Sequence, residues 1–154
     1  MTHYNLQWKE KDAGDYTGSY TTSDETVTSY TITGLAEGTF YDIRVVAYNL
    51  VGGSDPSGAI RVVAATLPTA PNVPTLETQS SSLISIVWDA PATGGSDILS
   101  YSVYVKSSTD ATYSLAGTTS PSTLSFTKAD MTASNYGTSF DFVIVATTAA
   151  GSSE

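Results

Sequence analysis

The chain has 154 residues, enough for one medium domain or two small ones, each with a core of its own. Its net charge is −9 and its six Lys and Arg are scattered, which excludes the basic footprint that nucleic-acid backbones or anionic membranes require. There is no cysteine, so disulfides, thiolate nucleophiles and zinc ribbons are excluded. Charged residues make up only 14%, leaving Ser, Thr, Asn and Gly to solvate the surface, a composition commoner in secreted and cell-surface proteins than in cytosolic ones.

The opening stretch MTHYNLQWKEKD alternates, with Tyr4, Leu6 and Trp8 on one face. Such a pattern is a half-buried strand and not a signal peptide. On that reading the protein is either cytosolic or begins further upstream. Tyr30 and Ile32 mark a second strand, and YDIRVVA follows with Tyr41, Ile43, Val45 and Ala47 on one face. AIRVVAAT (59–66) reads as a closing strand. Next comes LPTAPNVPTL, where Pro68, Pro71 and Pro74 lack the N–H a ladder needs; they mark a domain boundary and an edge strand. The boundary falls near Leu67, giving domains 1–66 and 67–154 with a joint short enough to restrict their orientation. Beyond it, ISIVW places Ile84, Ile86 and Trp88 together, YSVYV places Tyr101, Val103 and Val105, and FDFVIVA places Phe140, Phe142, Ile144 and Ala146.

The two halves repeat. Ala47 aligns with Ala146, 99 positions on, which brings Tyr41, Asp42, Val46, Gly52 and Ser54 onto Phe140, Asp141, Val145, Gly151 and Ser153. Upstream, Tyr4, Lys9 and Tyr16 meet Tyr101, Lys106 and Tyr113 at an offset of 97. A period of about one hundred residues is too long for a solenoid and signals a repeated domain. No window carries a helical stripe, and strands bounded by turn residues predict an all-β chain of two tandem antiparallel sandwiches. Trp88, Tyr101, Phe142 and Ile144 are expected in one core, and Leu6, Trp8, Tyr41 and Val45 in the other.

The second half resembles a fibronectin type III domain. It carries Pro71, Pro74 and Leu76 in a P-x-x-P-x-x-L pattern, then Trp88-Asp89-Ala90-Pro91, Gly94-Gly95 and Ile98-x-x-Tyr101-x-Val103. Phe140 to Ala146 and the Gly151-Ser152-Ser153 turn complete the match. The first half adds Leu35-Ala-Glu-Gly38-Thr39-Phe40-Tyr41, similar to the family's tyrosine corner. The resemblance implies an immunoglobulin-like sandwich in each half. It also implies that the first copy runs from the third strand to the last, and that the second stops before its last. On this reading the first unit has lost four to six inward side chains at roughly 1.5–3 kcal/mol each, comparable to a whole domain's stability. It would then be an internal piece of a longer array, or one whose open sheets are completed by adjacent chains in a filament. Exchange of a single strand would not suffice. Phe140 stands where the corner tyrosine would be, so the second copy lacks that hydroxyl.

Chemistry has little to work with. His3 is the only histidine and lies three residues from the start, so it has no framework to hold a triad or a metal. Carboxylates at Asp12, Asp15, Asp24, Glu25, Asp110 and Asp130 fall in loops without a cleft between them or a calcium-loop spacing. No catalytic residue, metal ligand or cofactor is assigned. The loop Asn49 to Asp55 contains no Arg-Gly-Asp, since Arg44 and Arg61 are each followed by valine; no W-S-x-W-S signature occurs either. No N-x-[ST] sequon is present. The runs SYTTSDETVTSY, TQSSS and TTSPST read either as polar surface or as acceptors of O-glycans.

One outward patch stands out. Alternation turns Val143 and Val145 outward beside Tyr104, a candidate contact with a neighbouring domain or another copy of the chain; the first unit has Arg44, Val46 and Gln7 in the corresponding places. The expectation is a non-catalytic structural or adhesive module, a stretch of an extracellular or cell-surface fibronectin type III array or filament, with protein partners. Competing readings are a ligand-binding receptor or adhesin module, spacer domains of a secreted polysaccharide-degrading enzyme, and part of a cytosolic scaffold.

Overall fold

The computed structural model describes residues 1–135 and 137–154. Among them the only helical element is a 3-10 turn, Ala133–Asn135, and no helix is long and apolar enough to cross a membrane. The chain divides into two compact units, Met1–Ala65 and Thr66–Glu154.

Unit 1 is one antiparallel sheet. Its strands are β1 His3–Glu10, β2 Gly18–Thr21, β3 Phe40–Tyr48 and β4 Ile60–Val63, in the order β2-β1-β3-β4. The register of β1 on β3, from His3↔Tyr48 to Glu10↔Tyr41, puts Tyr4, Leu6 and Trp8 on the face of Tyr41, Ile43 and Val45. The opposite face carries His3, Asn5, Gln7 and Lys9 beside Asp42, Arg44, Val46 and Tyr48.

That second face is closed by polar contacts. Arg44 donates from Nε to Gln7 Oε1 at 2.8 Å and lies 3.8 Å over the Tyr16 ring. Arg61 grips Asp42 through two hydrogen bonds of 2.8 and 3.0 Å, and the His3 and Tyr48 rings stack at 4.7 Å. Beneath this cover Val46 is 6% exposed, whereas Val45, on the face expected to form the core, is 36% exposed. Val45 is therefore not a core residue. The physical reason is that its face is covered only by the irregular segment 22–39, through Tyr30 stacked on Tyr20 at 3.7 Å and on Trp8 at 6.3 Å. The expected strand at Tyr30 and Ile32 forms no ladder, because no described strand runs beside it. An extended segment without a partner gains no backbone hydrogen bonds.

Unit 2 has two sheets. One holds β7 Ile98–Ser107, β8 Ser114–Thr119, β10 Phe140–Thr148 and β11 Gly151–Ser152, in the order β11-β10-β7-β8. The other holds β5 Thr75–Gln79, β6 Ile84–Val87 and β9 Ser125–Lys128, in the order β5-β6-β9. Their inner faces enclose Ile86, Trp88, Tyr101, Val103, Ile144 and Ala146, with Phe142 and Phe126 half-buried against them. Trp88 meets Tyr101 edge-on at 5.6 Å. The entry segment is fastened by Thr66 N–H donating to the Gly94 carbonyl at 2.8 Å. Gly94 has a φ of 66°, and a Cβ there would stand 2.6 Å from the Thr66 carbonyl oxygen, so only glycine fits.

Candidate functional site

Four of the residues that could carry chemistry, His3, Asp24, Asp110 and Asp130, are engaged locally. His3 stacks on Tyr48, with Thr2 Oγ1 3.2 Å from its Nδ1. Asp24 accepts from Thr26 Oγ1 and from the Thr26 N–H at 2.8 Å, and these bonds, the hydroxyl's first, hold its carboxyl below the usual range. Asp110 accepts from Ser107 Oγ at 2.7 Å and from Ser107 N at 2.9 Å, again with a lowered pKa. Asp130 pairs with Lys128 at 2.6 Å and is lowered by it. Each carboxylate closes its own loop. No group of three or more His, Cys, Asp or Glu that could hold a metal occurs among the described residues.

Two surfaces remain. On unit 2, the register sets Tyr104 of β7 opposite Val143 of β10 on one side and opposite Leu115 of β8 on the other. The three form an outward row across three strands, with Val143 40% and Leu115 58% exposed. Val145 and Tyr104 are half-buried, and Val145 lies next to the row in line with Ser102 and Thr118. Lys106, 3.9 Å from Asp141 and 5.0 Å from the Tyr113 ring centre, bounds the patch. Sequence alternation names Tyr104, Val143 and Val145 but misses Leu115. A bulge opposite Val103 and Tyr104 adds a residue to β8 and changes the parity of its side chains.

On unit 1, the weakly covered face forms a groove of about 240 Å³ lined by Tyr4, Leu6, Tyr20, Val27, Tyr30 and Val45. Trp8 is half-buried beside it, its indole lying on Gly18, where any side chain would collide. Tyr41 is buried and its hydroxyl accepts the Ala36 N–H at 3.1 Å, a tie across the corner of the chain. Of the remaining expected core residues, Trp88 and Tyr101 are buried and Phe142 is half-buried. Both surfaces are apolar and aromatic.

Comparison with known proteins places this geometry. The family model of the Fibronectin type III domain matches residues 1–63. Neogenin of Homo sapiens is 34% identical over 98% of the chain, and Exoglucanase B of Cellulomonas fimi is 34% identical over 88% of it. The chain spans only 10% and 12% of those two proteins. Among solved structures, domains A168–A170 of titin share the fold at a TM-score of 0.60 and 19% identity, covering 97% of this chain and 50% of that one. With the family model on residues 1–63, the tyrosine corner in place and the strand pattern returning in the second unit, unit 1 belongs to the fibronectin type III family and the chain has the fold of a tandem of such domains.

Proposed function

We propose that the chain is a non-catalytic structural and adhesive module, working outside the cell or at its surface as a stretch of a longer fibronectin type III array or filament. Its partners are neighbouring domains or copies of itself. The observation that supports this best is the outward row Leu115–Tyr104–Val143, an apolar strip across three strands where unit 1 has Arg44 and Gln7 instead. Covering two valines, a leucine and part of a tyrosine is worth a few kcal/mol at roughly 25 cal/mol per Å², enough to matter when repeated along an assembly. Sedimentation of the chain over a concentration series tests the reading. The expected result is a rise in mass with concentration that Val143→Lys abolishes. A monomer at every concentration, unchanged by that substitution, would overturn self-association.

A second reading, spacer domains beside a polysaccharide-degrading domain, is favoured by the similarity to Exoglucanase B over 88% of the chain. It predicts that Val143→Lys leaves the mass unchanged.

A further inference from the structure

A lysine lies over a tyrosine ring in each unit, Lys9 over Tyr16 at 5.4 Å and Lys106 over its repeat Tyr113 at 5.0 Å. What differs is what else the tyrosine holds. In unit 1, Tyr16 also takes the Arg44 guanidinium at 3.8 Å, and Arg44 donates to Gln7 at 2.8 Å. The chain thereby lays its own groups over the middle of this face, and Tyr16 is half-buried. In unit 2 the places of Arg44 and Gln7 are taken by Val143 and Tyr104. Neither is a cation, so Tyr113 is left with Lys106 alone and is 43% exposed, and the row Leu115–Tyr104–Val143 stays bare. The row points away from the sheet, so a further strand at either edge would leave it open.

Along the strands, the row is flanked on one side by Val145, Ser102 and Thr118 and on the other by Asp141, Lys106 and Tyr113. Three strands about 4.8 Å apart and three rows about 7 Å apart make a patch of roughly 300 Å². A stable pair of proteins covers about 800 Å² on each partner. A partner held once by this patch therefore dissociates readily. Copies of the chain present the patch again at each repeat of an array, and weak contacts then add. The patch also suits itself, because its middle is apolar and identical rows can face each other with no charge between them.

We propose that the row docks on the same row of a second copy of the chain, about a twofold axis running along the row, so that β7 of one copy lies antiparallel across β7 of the other. The inference rests on the self-association reading and gives it a geometry. Tyr104 meets Tyr104, Val143 meets Val143 and Leu115 meets Leu115. Lys106, which keeps Asp141 at 3.9 Å, comes over Ser102 of the other copy, and Tyr113 comes over Thr118. The other twofold, along β7, would set Lys106 on Lys106, and like charges brought together at an interface repel. Copies of net charge −9 also repel at long range, so added salt strengthens this pairing, whereas it would release a basic partner.

The chain has no cysteine, so a single engineered one carries a nitroxide label at a known place. Labelled Thr118→Cys is mixed with isotope-labelled chain of unaltered sequence, and the loss of amide signals in the latter is read. The expected result is broadening at Tyr113 and Ser114 that grows with salt and is lost when both copies carry Val143→Lys. A label on Tyr113→Cys is expected to broaden Gly117 and Thr118 in return, which repeats the test on a second variant. Broadening centred on Val145 would put the axis along β7 and overturn the proposal, as would broadening that salt removes. Absence of broadening while the mass still rises in sedimentation would overturn this interface alone. Absence of broadening with a constant mass would overturn self-association itself.

Discussion

Tyr4, Leu6 and Val45 of unit 1 repeat as Tyr101, Val103 and Ile144 of unit 2, on strands of the same alternation. Tyr101 and Val103 are fully buried and Ile144 is 4% exposed, whereas Tyr4 and Leu6 are half-buried and Val45 is exposed. The difference is the sheet β5-β6-β9, which covers the inner face of unit 2 and has no counterpart over unit 1 among the described residues. Alternation sets which face a side chain takes. Depth comes from what is laid over that face.

The comparison breaks or holds first on the pair Ile144 and Val45. Ile144→Ala is expected to cost about 2–5 kcal/mol through lost transfer energy and a cavity. Val45→Ala should stay within about 0.5 kcal/mol, as surface substitutions do. Denaturant unfolding followed by tryptophan fluorescence can separate the two, because Trp8 reports on unit 1 and Trp88 on unit 2. A large cost at Val45 would mean that the face is covered in solution.

A smaller effect is expected at the corner. Tyr41→Phe removes the acceptor of the Ala36 N–H and should destabilise unit 1 by about 0.5–1.5 kcal/mol. Unit 2 already has Phe140 at that place, so its transition serves as the unaltered reference.

Tyr101 should respond in the opposite direction. Its hydroxyl and Trp88 Nε1 are buried with no hydrogen-bond partner among the described residues, and burial pushes the phenol above its ordinary pKa. Removing an unpaired polar group relieves desolvation, so Tyr101→Phe is expected to stabilise unit 2 by about 1 kcal/mol. In unit 1, Tyr4→Phe should be neutral. A loss at Tyr101 would show that its hydroxyl is satisfied in solution.

The smallest effect is on acid stability. The hydrogen bond from Arg61 holds Asp42 below its ordinary value of 3.8. A folded pKa lower than the unfolded one contributes stability above the unfolded value, and that contribution is lost as pH falls below about 4 through the folded value. Asp42→Asn should therefore flatten the acid limb of unit 1 in a pH series of melting temperatures. An unchanged limb would show the pair to be idle.

The strands with clean alternation were legible in the sequence: β1, β3, β7 and β10 contain the residues that the pattern marks, and β6 holds Ile84 and Ile86 with Trp88 just past its end. The repeat register was legible as well, because Ser54 and Ser153 make the same two bonds to Ala47 and Ala146. Three features were not. Val46 is buried on the face of Asn5, Arg44 and Tyr48, which alternation reads as the outward one. Leu115 reaches the outward row only through a bulge, which changes parity without a marker of its own. The Tyr30 segment has the composition of a strand, but a ladder needs a neighbour, and composition carries no information about neighbours.

The pairing of β1 with β3 and of β3 with β4 has a mechanical consequence. Both pairings are antiparallel, so β1 and β4 run in the same direction on either side of β3. Tension applied between Met1 and Ala65 enters at the start of β1 and leaves at the end of β4, pulling these strands along their own axes. The ladder bonds lie across that direction. They are loaded together in shear instead of being opened one at a time, so unit 1 resists stretching more than its half-covered inner face would lead one to expect.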